Sequence, residues 1–337
     1  AAMRDGILAA GNWIADRVKS VDRWPGEGNL CSILAEERAP GGGPANILFD
    51  LAAMDSSYPL YAAGRIGEDA DGDFLLAEAA KRGIDTSLLR RTPGVATAYT
   101  DVISSPGSRT FFHAAGADAF LCAADFDGAE AEAEFFYLGY LLLLRSLDMP
   151  DAEFGTGAAR LLAAMRKRGF RTVVDFVSGS PDRFRPAAEA AFPWTDILII
   201  NEVEAACSTG IGLRSGDGTL AAELLPEALK RLFSMKVGEL CVIHFPEGAA
   251  AMTADGAYTL TPSCRIDRDE IAGHNGAGDA FAAGVLYALA KRLPLEEALR
   301  VGSASSYFNL KSPTASGGAV PYCRIEEHLQ SGEFNLL

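Results

Sequence analysis

The sequence lacks the patterns that mark zinc sites, disulfide frameworks and membrane anchors. Its six cysteines include no Cys-x-x-Cys pair and its four histidines show no metal-ligand spacing, which favours reduced thiols. The longest apolar run, residues 135–144, is too short to span a bilayer, and no N-terminal segment resembles a secretory signal. Together these absences predict a cytoplasmic protein that does not insert into membranes.

Positive charge is scarce as well, because 30 Lys and Arg residues stand against 45 Asp and Glu residues, for a net charge of −15. This excess of acid disfavours nucleic acid or an anionic membrane as a partner, although local N–H donors can still bind a small phosphate-bearing ligand. No Gly-x-x-x-x-Gly-Lys-[Ser/Thr] occurs, which argues against a P-loop. Residues 10–13, after the first expected strand, do not supply Gly-x-Gly-x-x-Gly, which argues against a Rossmann oxidoreductase.

Apolar runs and amphipathic segments alternate along most of the chain. The apolar runs predict buried strands at residues 7–10, 60–63, 172–176, 197–200 and 241–244. Helical spacing predicts helices at residues 72–82, 157–168 and 220–233. This alternation is typical of a mostly parallel α/β sheet covered on both faces, in which ligands gather at the carboxyl ends of the strands.

A glycine-rich turn near the C-terminus is the most informative motif. Gly276, Ala277 and Gly278 precede Asp279 and a stretch rich in Ala and Leu that predicts a helix. Glycines expose backbone N–H groups and a helix N-terminus adds positive potential, so residues 276–278 form a candidate anion site, here called the anion turn. Asp279 is either a general base for a hydroxyl that attacks a phosphate or a helix-capping Asp, and the turn alone leaves both open.

Two other motifs accompany this turn. Gly42 and Gly43 precede Asn46 at the start of an apolar helical stretch. About twenty residues later, residues 64–72 (Gly-Arg-Ile-Gly-Glu-Asp-Ala-Asp-Gly) close a strand and open another helix. Asn-Glu-Val-Glu stands at residues 201–204. In this order the three motifs resemble those of the PfkB (ribokinase-like) family of carbohydrate and nucleoside kinases, and the resemblance covers essentially the whole chain.

The resemblance implies an α/β, ribokinase-like fold: a mostly parallel central sheet with helices on both faces, plus a small β-sheet lid. A single kinase domain would span residues 1–337, with the lid contributed by roughly 13–39 and 96–117. From their own sequence these two stretches would pass for edge hairpins. The resemblance also implies a homodimer that forms through the lid.

The activity implied by the resemblance is Mg²⁺- and ATP-dependent phosphorylation of a hydroxymethyl group on a sugar or sugar-like alcohol. Asp279 would be the general base, ionised at neutral pH because an unperturbed Asp has a pKa of about 3.9. The N–H groups of the anion turn would hold the γ-phosphoryl oxygens.

The family's binding residues carry over by position. Asp16, Gly42, Gly43 and Asn46 resemble its substrate-binding set, while Asn201, Glu204 and Gly248 fall at its nucleotide-binding positions. Asn201 and Glu204 would orient Mg²⁺ through water, although a helix N-cap with an acid in its first turn accounts for the same two residues. Arg109 on the lid could reach phosphate, but we expect a solvated surface arginine.

Three departures from the family pattern carry expectations of their own. Gly273 replaces an acid that relatives often have before the anion turn, so we expect little activation by potassium. The nucleotide loop, residues 245–248, keeps one glycine, Gly248, where two are usual, which puts the donor preference in doubt. Asp118 stands where some sugar kinases have Asn, and we expect it to alter the hydrogen bonds offered to the acceptor.

Two alternatives to a sugar kinase stay open at this point. Asn275, beside the anion turn, weakly favours a nucleoside (adenosine-like) kinase. The altered residue at Gly273 and the altered loop fit a catalytically degenerate, sugar-binding regulator. The intact Asp279 argues against the second alternative, since a protein without catalysis has no need of the base.

Overall fold

The structure is a computed structural model that describes residues 4–106, 108–177 and 181–337. The strands in chain order are β1 (Ile7–Gly11), β2 (Ile14–Val21), β3 (Ile33–Gly41), β4 (Leu60–Gly67), β5 (Asp85–Thr92), β6 (Ala98–Ser105), β7 (Ser108–Ala114), β8 (Phe135–Leu141), β9 (Pro150–Asp151), β10 (Gly155–Thr156), β11 (Arg171–Phe176), β12 (Ile197–Asn201), β13 (Leu240–Phe245), β14 (Gly248–Thr253) and β15 (Tyr258–Pro262). The helices are α1 (Gly43–Met54), α2 (Ala70–Ala80), α3 (Arg145–Asp148), α4 (Gly157–Lys167), α5 (Pro181–Ala191), α6 (Glu202–Thr209), α7 (Leu225–Ser234), α8 (Ala277–Ala290), α9 (Leu295–Leu310) and α10 (Tyr322–Ser331). Within the described ranges, no helix is long and apolar enough to cross a bilayer.

Nine strands form the main sheet, in the order β15-β14-β13-β12-β11-β8-β1-β4-β5. Neighbouring strands are parallel except at one edge, where β14 pairs antiparallel with both β13 and β15. Because parallel strands end at a common edge, the residues that follow β1, β11, β12 and β13 lie along the same side of the sheet. This sheet confirms the predicted fold class.

The apolar strands follow from burial on both faces of the sheet. Successive side chains of a strand point to opposite faces, so Ile7 packs with the core beneath α1, α8 and α9, whereas Leu8 packs with the core beneath α4 and α7. Both side chains are fully buried. A strand with two buried faces needs a continuous apolar run rather than alternating apolar and polar residues. The apolar runs in the sequence therefore predicted these strands.

The predicted strands and helices are confirmed within a few residues, with two differences. The helix expected at 220–233 begins only at Leu225, after a short 3-10 helix, because Pro226 fits the first turn of a helix and not its interior. The apolar run at 135–144 was considered only as a possible membrane segment. It forms β8, which lies between β1 and β11 near the middle of the sheet.

A smaller sheet, here called the lid, has the strand order β3-β2-β6-β7 and confirms the predicted second sheet. Strand β2 pairs antiparallel with β3 and parallel with β6, and β6 pairs antiparallel with β7. The chain enters the lid directly after β1 and leaves it at Gly41, just before α1. The lid is therefore attached at the carboxyl edge of the main sheet, where ligands of such sheets bind.

Candidate active site

The expected general base meets the N-terminal glycine motif directly. Asp279 lies in the first turn of α8 and is 6% exposed. Asn46 of α1 donates from Nδ2 to Oδ2 of Asp279 over 2.8 Å, and the Tyr140 hydroxyl donates to the same oxygen over 2.6 Å. Two motifs that are more than two hundred residues apart in the chain thus converge on one carboxylate.

Burial raises the pKa of the Asp279 carboxyl to about 6, since a buried carboxylate loses its hydration. Hydrogen bonds from Tyr140, Asn46 and Asp175 favour the ionised form and limit this rise. The sequence-based expectation of an ordinary Asp pKa is therefore wrong. The base is still mostly ionised at neutral pH, but it titrates close to the physiological range.

Two further buried acids stand behind the base. Asp175, at the end of β11, accepts a hydrogen bond of 2.8 Å from the Tyr137 hydroxyl, and burial together with the charge of Asp279 raises its pKa well above the usual range. Asp50 lies on α1 and is 1% exposed, and neither of its oxygens has a hydrogen-bond partner among the described residues. Burial and the charge of the nearby Asp279 raise the pKa of Asp50 as well, so the environment of both acids disfavours a second charge beside the base.

Sequence reasoning missed most of this cluster. Asp175 belongs to none of the three motifs, and Tyr137 and Tyr140 lie inside the apolar run that forms β8. Asp50 carried the one readable signal, because it follows Asn46 by four residues and so shares its helix face. Nothing in the sequence shows that the Tyr140 hydroxyl reaches α8.

The anion turn has the geometry that its glycines suggested. Gly276 has φ = +75°, and a Cβ atom there would lie 2.2 Å from the carbonyl oxygen of Ala315, so only glycine fits. It is the N-cap of α8, and the first N–H groups of a helix have no partner within the helix. Gly278 is exposed, which leaves the backbone of the turn open to an anion.

His244 is a further neighbour of the anion turn that sequence reasoning overlooked. It lies near the carboxyl end of β13, level with Asn201 of β12, and its ring stacks on Phe281 with centroids 4.9 Å apart. A Cβ atom on Gly278 would lie 3.5 Å from its Cε1 atom. Burial lowers the pKa of His244 to about 4, so the imidazole is neutral and can donate one hydrogen bond towards the turn.

The expected acceptor-binding residues line the junction of the lid and α1. Asp16 on β2 is 8% exposed and has no hydrogen-bond donor among the described residues, and burial raises the pKa of its carboxyl to about 7. Gly42 has φ = +93°, and a Cβ atom on Gly43 would lie 2.4 Å from the Tyr137 hydroxyl. The two glycines therefore let the backbone pass close to the cluster around the base. Asn46 follows in the first turns of α1, where its backbone N–H donates to the Gly42 carbonyl.

Both carboxyl oxygens of Asp118 have partners inside the protein, whereas we expected this residue to alter the hydrogen bonds offered to the acceptor. It is fully buried and accepts hydrogen bonds from the Trp13 backbone N–H (3.1 Å) and from Nδ2 of Asn12 (3.3 Å). Asn12 in turn accepts from the Tyr140 backbone N–H over 2.6 Å. Asp118 therefore fixes the connection between β1 and the lid, and through it the backbone of Tyr140.

Asn201 and Glu204 form a reciprocal capping box at the start of α6. Oδ1 of Asn201 accepts from the backbone N–H groups of Val203 and Glu204, and the Glu204 carboxylate accepts from the backbone N–H of Asn201. The capping interpretation is therefore confirmed, while a role with Mg²⁺ stays a prediction. Gly248 is buried against the Thr261 carbonyl and Leu337 at the β13–β14 hairpin, so close packing already accounts for this glycine.

Arg109 is partly exposed to solvent, as expected of a surface arginine, but its guanidinium also contacts the backbone of a distant segment. Its Nη2 donates to the Ala272 carbonyl over 3.3 Å, four residues before the anion turn begins. Gly273 follows at once, in place of the expected acid.

Comparison with known proteins identifies the family of the chain. The family model described as "pfkB family carbohydrate kinase" matches residues 7–321. The chain belongs to the pfkB family. It is therefore a carbohydrate kinase by family, and the motifs that carried the resemblance lie within the matched region.

Relatives within the family are sugar kinases. Probable fructokinase-6, chloroplastic, of Arabidopsis thaliana is 27% identical over 288 residues, covering 81% of this chain and 68% of the relative. The 5-dehydro-2-deoxygluconokinase of Shouchella clausii strain KSM-K16 is 24% identical over 290 residues, covering 83% of each protein.

Solved structures share the fold along nearly the whole chain. Arabidopsis thaliana ribokinase complexed with ribose and ATP superposes with a TM-score of 0.77 at 21% identity, covering 97% of this chain and 99% of that one. Burkholderia thailandensis nucleoside kinase in complex with inosine superposes with a TM-score of 0.73 at 17% identity, covering 97% and 98%.

Proposed function

We propose that this pfkB-family kinase transfers the γ-phosphoryl group of ATP to a hydroxymethyl group of a sugar or sugar-like alcohol. The observation that carries the proposal is the convergence of Asn46, Tyr140 and Asp279 at the head of the anion turn. A buried carboxylate that two donors hold in place, beside open backbone N–H groups, suits an oxygen nucleophile that attacks a phosphate.

The proposed reaction uses the two halves of the site for different tasks. Asp279 takes the proton of the acceptor hydroxyl while the new O–P bond forms and the bond to the ADP oxygen breaks. Asn46 and Tyr140 both donate to Oδ2 of the carboxylate and so fix its orientation towards the acceptor side of the site. The N–H groups of the anion turn, together with the neutral His244, stabilise charge on the transferred phosphoryl oxygens.

Of the two expected Mg²⁺ residues, Glu204 fits better than Asn201. Asn201 already accepts two backbone hydrogen bonds, whereas Glu204 carries a carboxylate, a ligand type that Mg²⁺ prefers, and lies close enough to Asp175 to raise the pKa of that acid. In the described part of the chain, no group of three or more acidic, His or Cys side chains could hold a metal ion. That suits an ion bound mainly by substrate phosphates and water, with one carboxylate in support. When bound, Mg²⁺ would neutralise charge on the phosphates.

Sugars are the favoured acceptors. The Asp16 carboxyl group, which has no hydrogen-bond donor in the described part of the chain, and the close backbone at Gly42 and Gly43 suit several hydroxyls on a small ring. The sequence relatives named above act on sugars or their derivatives, which supports the same class.

A nucleoside is the second candidate acceptor. A cavity of about 640 Å³ lies between the lid and the anion turn, and Phe111, His274 and Asn275 line it. An aromatic ring with an amide nearby could hold a base, and a structural neighbour is a nucleoside kinase in complex with inosine.

The decisive experiment is a coupled ADP-release screen of pentoses, hexoses, sugar acids and nucleosides with Mg²⁺ and ATP, using wild type and Asp279→Asn. We expect one acceptor class to give turnover. The variant, which keeps the shape but cannot accept a proton, should lose about 10²–10⁴ in kcat while it still binds the acceptor. Binding without turnover across the whole screen would instead support the degenerate regulator.

We infer that the proposed homodimer forms through the lid. Ile33 and Leu34 on β3 are 55% and 68% exposed, and Phe112 on β7 is 55% exposed. Exposed apolar side chains on a small sheet favour association with a second copy. Light scattering should give a dimer for wild type and a monomer for Leu34→Asp with Phe112→Asp. A wild-type monomer at micromolar concentration would contradict the proposal.

A further inference from the structure

Arg109 lies on the same face of the lid as the acceptor residue Asp16. The strand registers place Asp16 opposite Thr100 and Thr100 opposite His113. Side chains of a strand alternate between faces, so Arg109, four residues before His113 on β7, shares that face. One surface of the lid thus carries an acceptor-binding carboxylate at one end and a guanidinium at the other.

The guanidinium contacts the segment that leads into the anion turn. Nη2 of Arg109 donates to the Ala272 carbonyl over 3.3 Å. A Cβ atom on Gly273 would lie 3.0 Å from both Nη atoms and 3.0 Å from the Ser312 carbonyl oxygen. Any larger residue at 273 would push against the guanidinium on one side and the backbone on the other, so glycine permits this contact.

The segment has few other fixed contacts. The backbone N–H groups of Ala272 and Gly273 both donate to the Leu310 carbonyl at the end of α9. Among the described residues, no carboxylate forms a salt bridge with Arg109, so its hydrogen bonding is not diverted from the Ala272 carbonyl. The Ile271 backbone N–H also donates to the Arg268 carbonyl, and the His274 carbonyl accepts from the Ala277 backbone N–H. The hydrogen bond from Arg109 adds a contact between this segment and the lid.

We propose that Arg109 is a positioning residue that latches the lid onto this segment, so that closure over the acceptor and ordering of the anion turn occur together. Arg109 acts through the backbone of residues 272–276. The lid that brings Asp16 to the acceptor thereby fixes the N–H groups that hold the phosphoryl group. The kinetic half of the proposal rests on the proposed kinase function, whereas the structural half does not.

Hydrogen exchange tests the structural half without any substrate. In Arg109→Ala, amides of residues 271–279 should exchange about tenfold faster, because the segment loses its hydrogen bond to the lid. Gly273→Ala should loosen the same peptides from the other side. Arg90→Ala removes an exposed arginine from β5 and should leave them unchanged. Equal exchange in wild type and Arg109→Ala, or the same acceleration in Arg90→Ala, would overturn the latch.

Kinetics with the best acceptor tests the positioning role. We expect kcat of Arg109→Ala to fall roughly tenfold to a hundredfold, since small displacements of a catalytic group are costly. Millimolar guanidinium should restore part of the rate in this variant alone, and Arg109→Lys should keep an intermediate rate because an ammonium can still donate to the Ala272 carbonyl. Faster exchange with a wild-type kcat would refute positioning. If wild type is inactive on every acceptor, the proposed function is refuted. The hydrogen-exchange measurement would then still test the latch by itself.

Discussion

The pH dependence of the reaction gives direct access to the catalytic base. Asp279 must be ionised to accept a proton, and burial raises the pKa of its carboxyl to about 6. With that pKa, about nine tenths of the base is ionised at pH 7 and about one tenth at pH 5. We therefore expect kcat/KM, which reports the free enzyme, to rise with pH through this range and level off above pH 7.

Replacing Tyr140 by Phe should shift this rise of kcat/KM to higher pH. The Tyr140 hydroxyl donates to Oδ2 of Asp279 over 2.6 Å and favours the carboxylate. A hydrogen bond to a charged group contributes about 1.5–3 kcal/mol, and one pKa unit corresponds to about 1.4 kcal/mol. Since Asn46 remains, and water can enter the space, we expect the smaller end, a rise of about one unit. About half the base would then be ionised at pH 7.

The assay is the initial rate of ADP release between pH 5 and 9 at saturating ATP and Mg²⁺. The variant should approach the wild-type kcat/KM at pH 9 and fall about ninefold below it at pH 5. Asp16→Asn is the necessary control, because burial raises the pKa of Asp16 to about 7 and its titration could produce a similar limb. His244 stays neutral throughout, since burial lowers its pKa to about 4. If the rise of kcat/KM occurs at the same pH in Tyr140→Phe, or is absent in Asp16→Asn, the assignment of this rise to Asp279 is refuted.

Three further predictions follow from single features of the site. Asp16→Ala should weaken acceptor binding by about 1–3 kcal/mol in isothermal titration and leave ATP affinity nearly unchanged; the reverse pattern would show that our division of the site is mistaken. Exchanging sodium for potassium should change the rate little, because Gly273 has no carboxylate and Arg109 lies beside it, and strong stimulation by potassium would contradict this. Burial raises the pKa of Asp50, so the folded chain holds its proton above the pH at which the unfolded chain releases it, and wild type loses stability as pH rises. The melting temperature of Asp50→Asn should therefore rise relative to that of wild type between pH 5 and 8. A difference in melting temperature that does not change with pH would contradict this prediction.

The sequence revealed the fold well because its evidence is local. Continuous apolar runs such as residues 197–200 report a strand buried on both faces, and Gly276 reports a backbone conformation that only glycine tolerates. The resemblance to a family then paired Asp279 with the N-terminal motif. None of this required knowledge of which side chains touch.

The features that could not be predicted from the sequence depend on how distant segments of the chain pack together. The pKa of Asp279 follows from burial under residues of α1 and β8, and the contact between Arg109 and Ala272 follows from how the lid lies. Asp118 shows the same limit, because the motif placed it beside the acceptor while its side chain points into the connection after β1. A position in a motif does not fix the direction of a side chain.

The convergence of Asn46, Tyr140 and Asp279 also bears on how the chain acquires activity. The base depends on contacts between residues separated by 139 and 233 positions, and such long-range contacts close late and slowly in folding. A nascent chain has no oriented base until α8 has emerged and docked. Recovery of turnover after dilution from denaturant should therefore lag behind recovery of helix signal, which makes enzymatic rate a sensor of complete maturation.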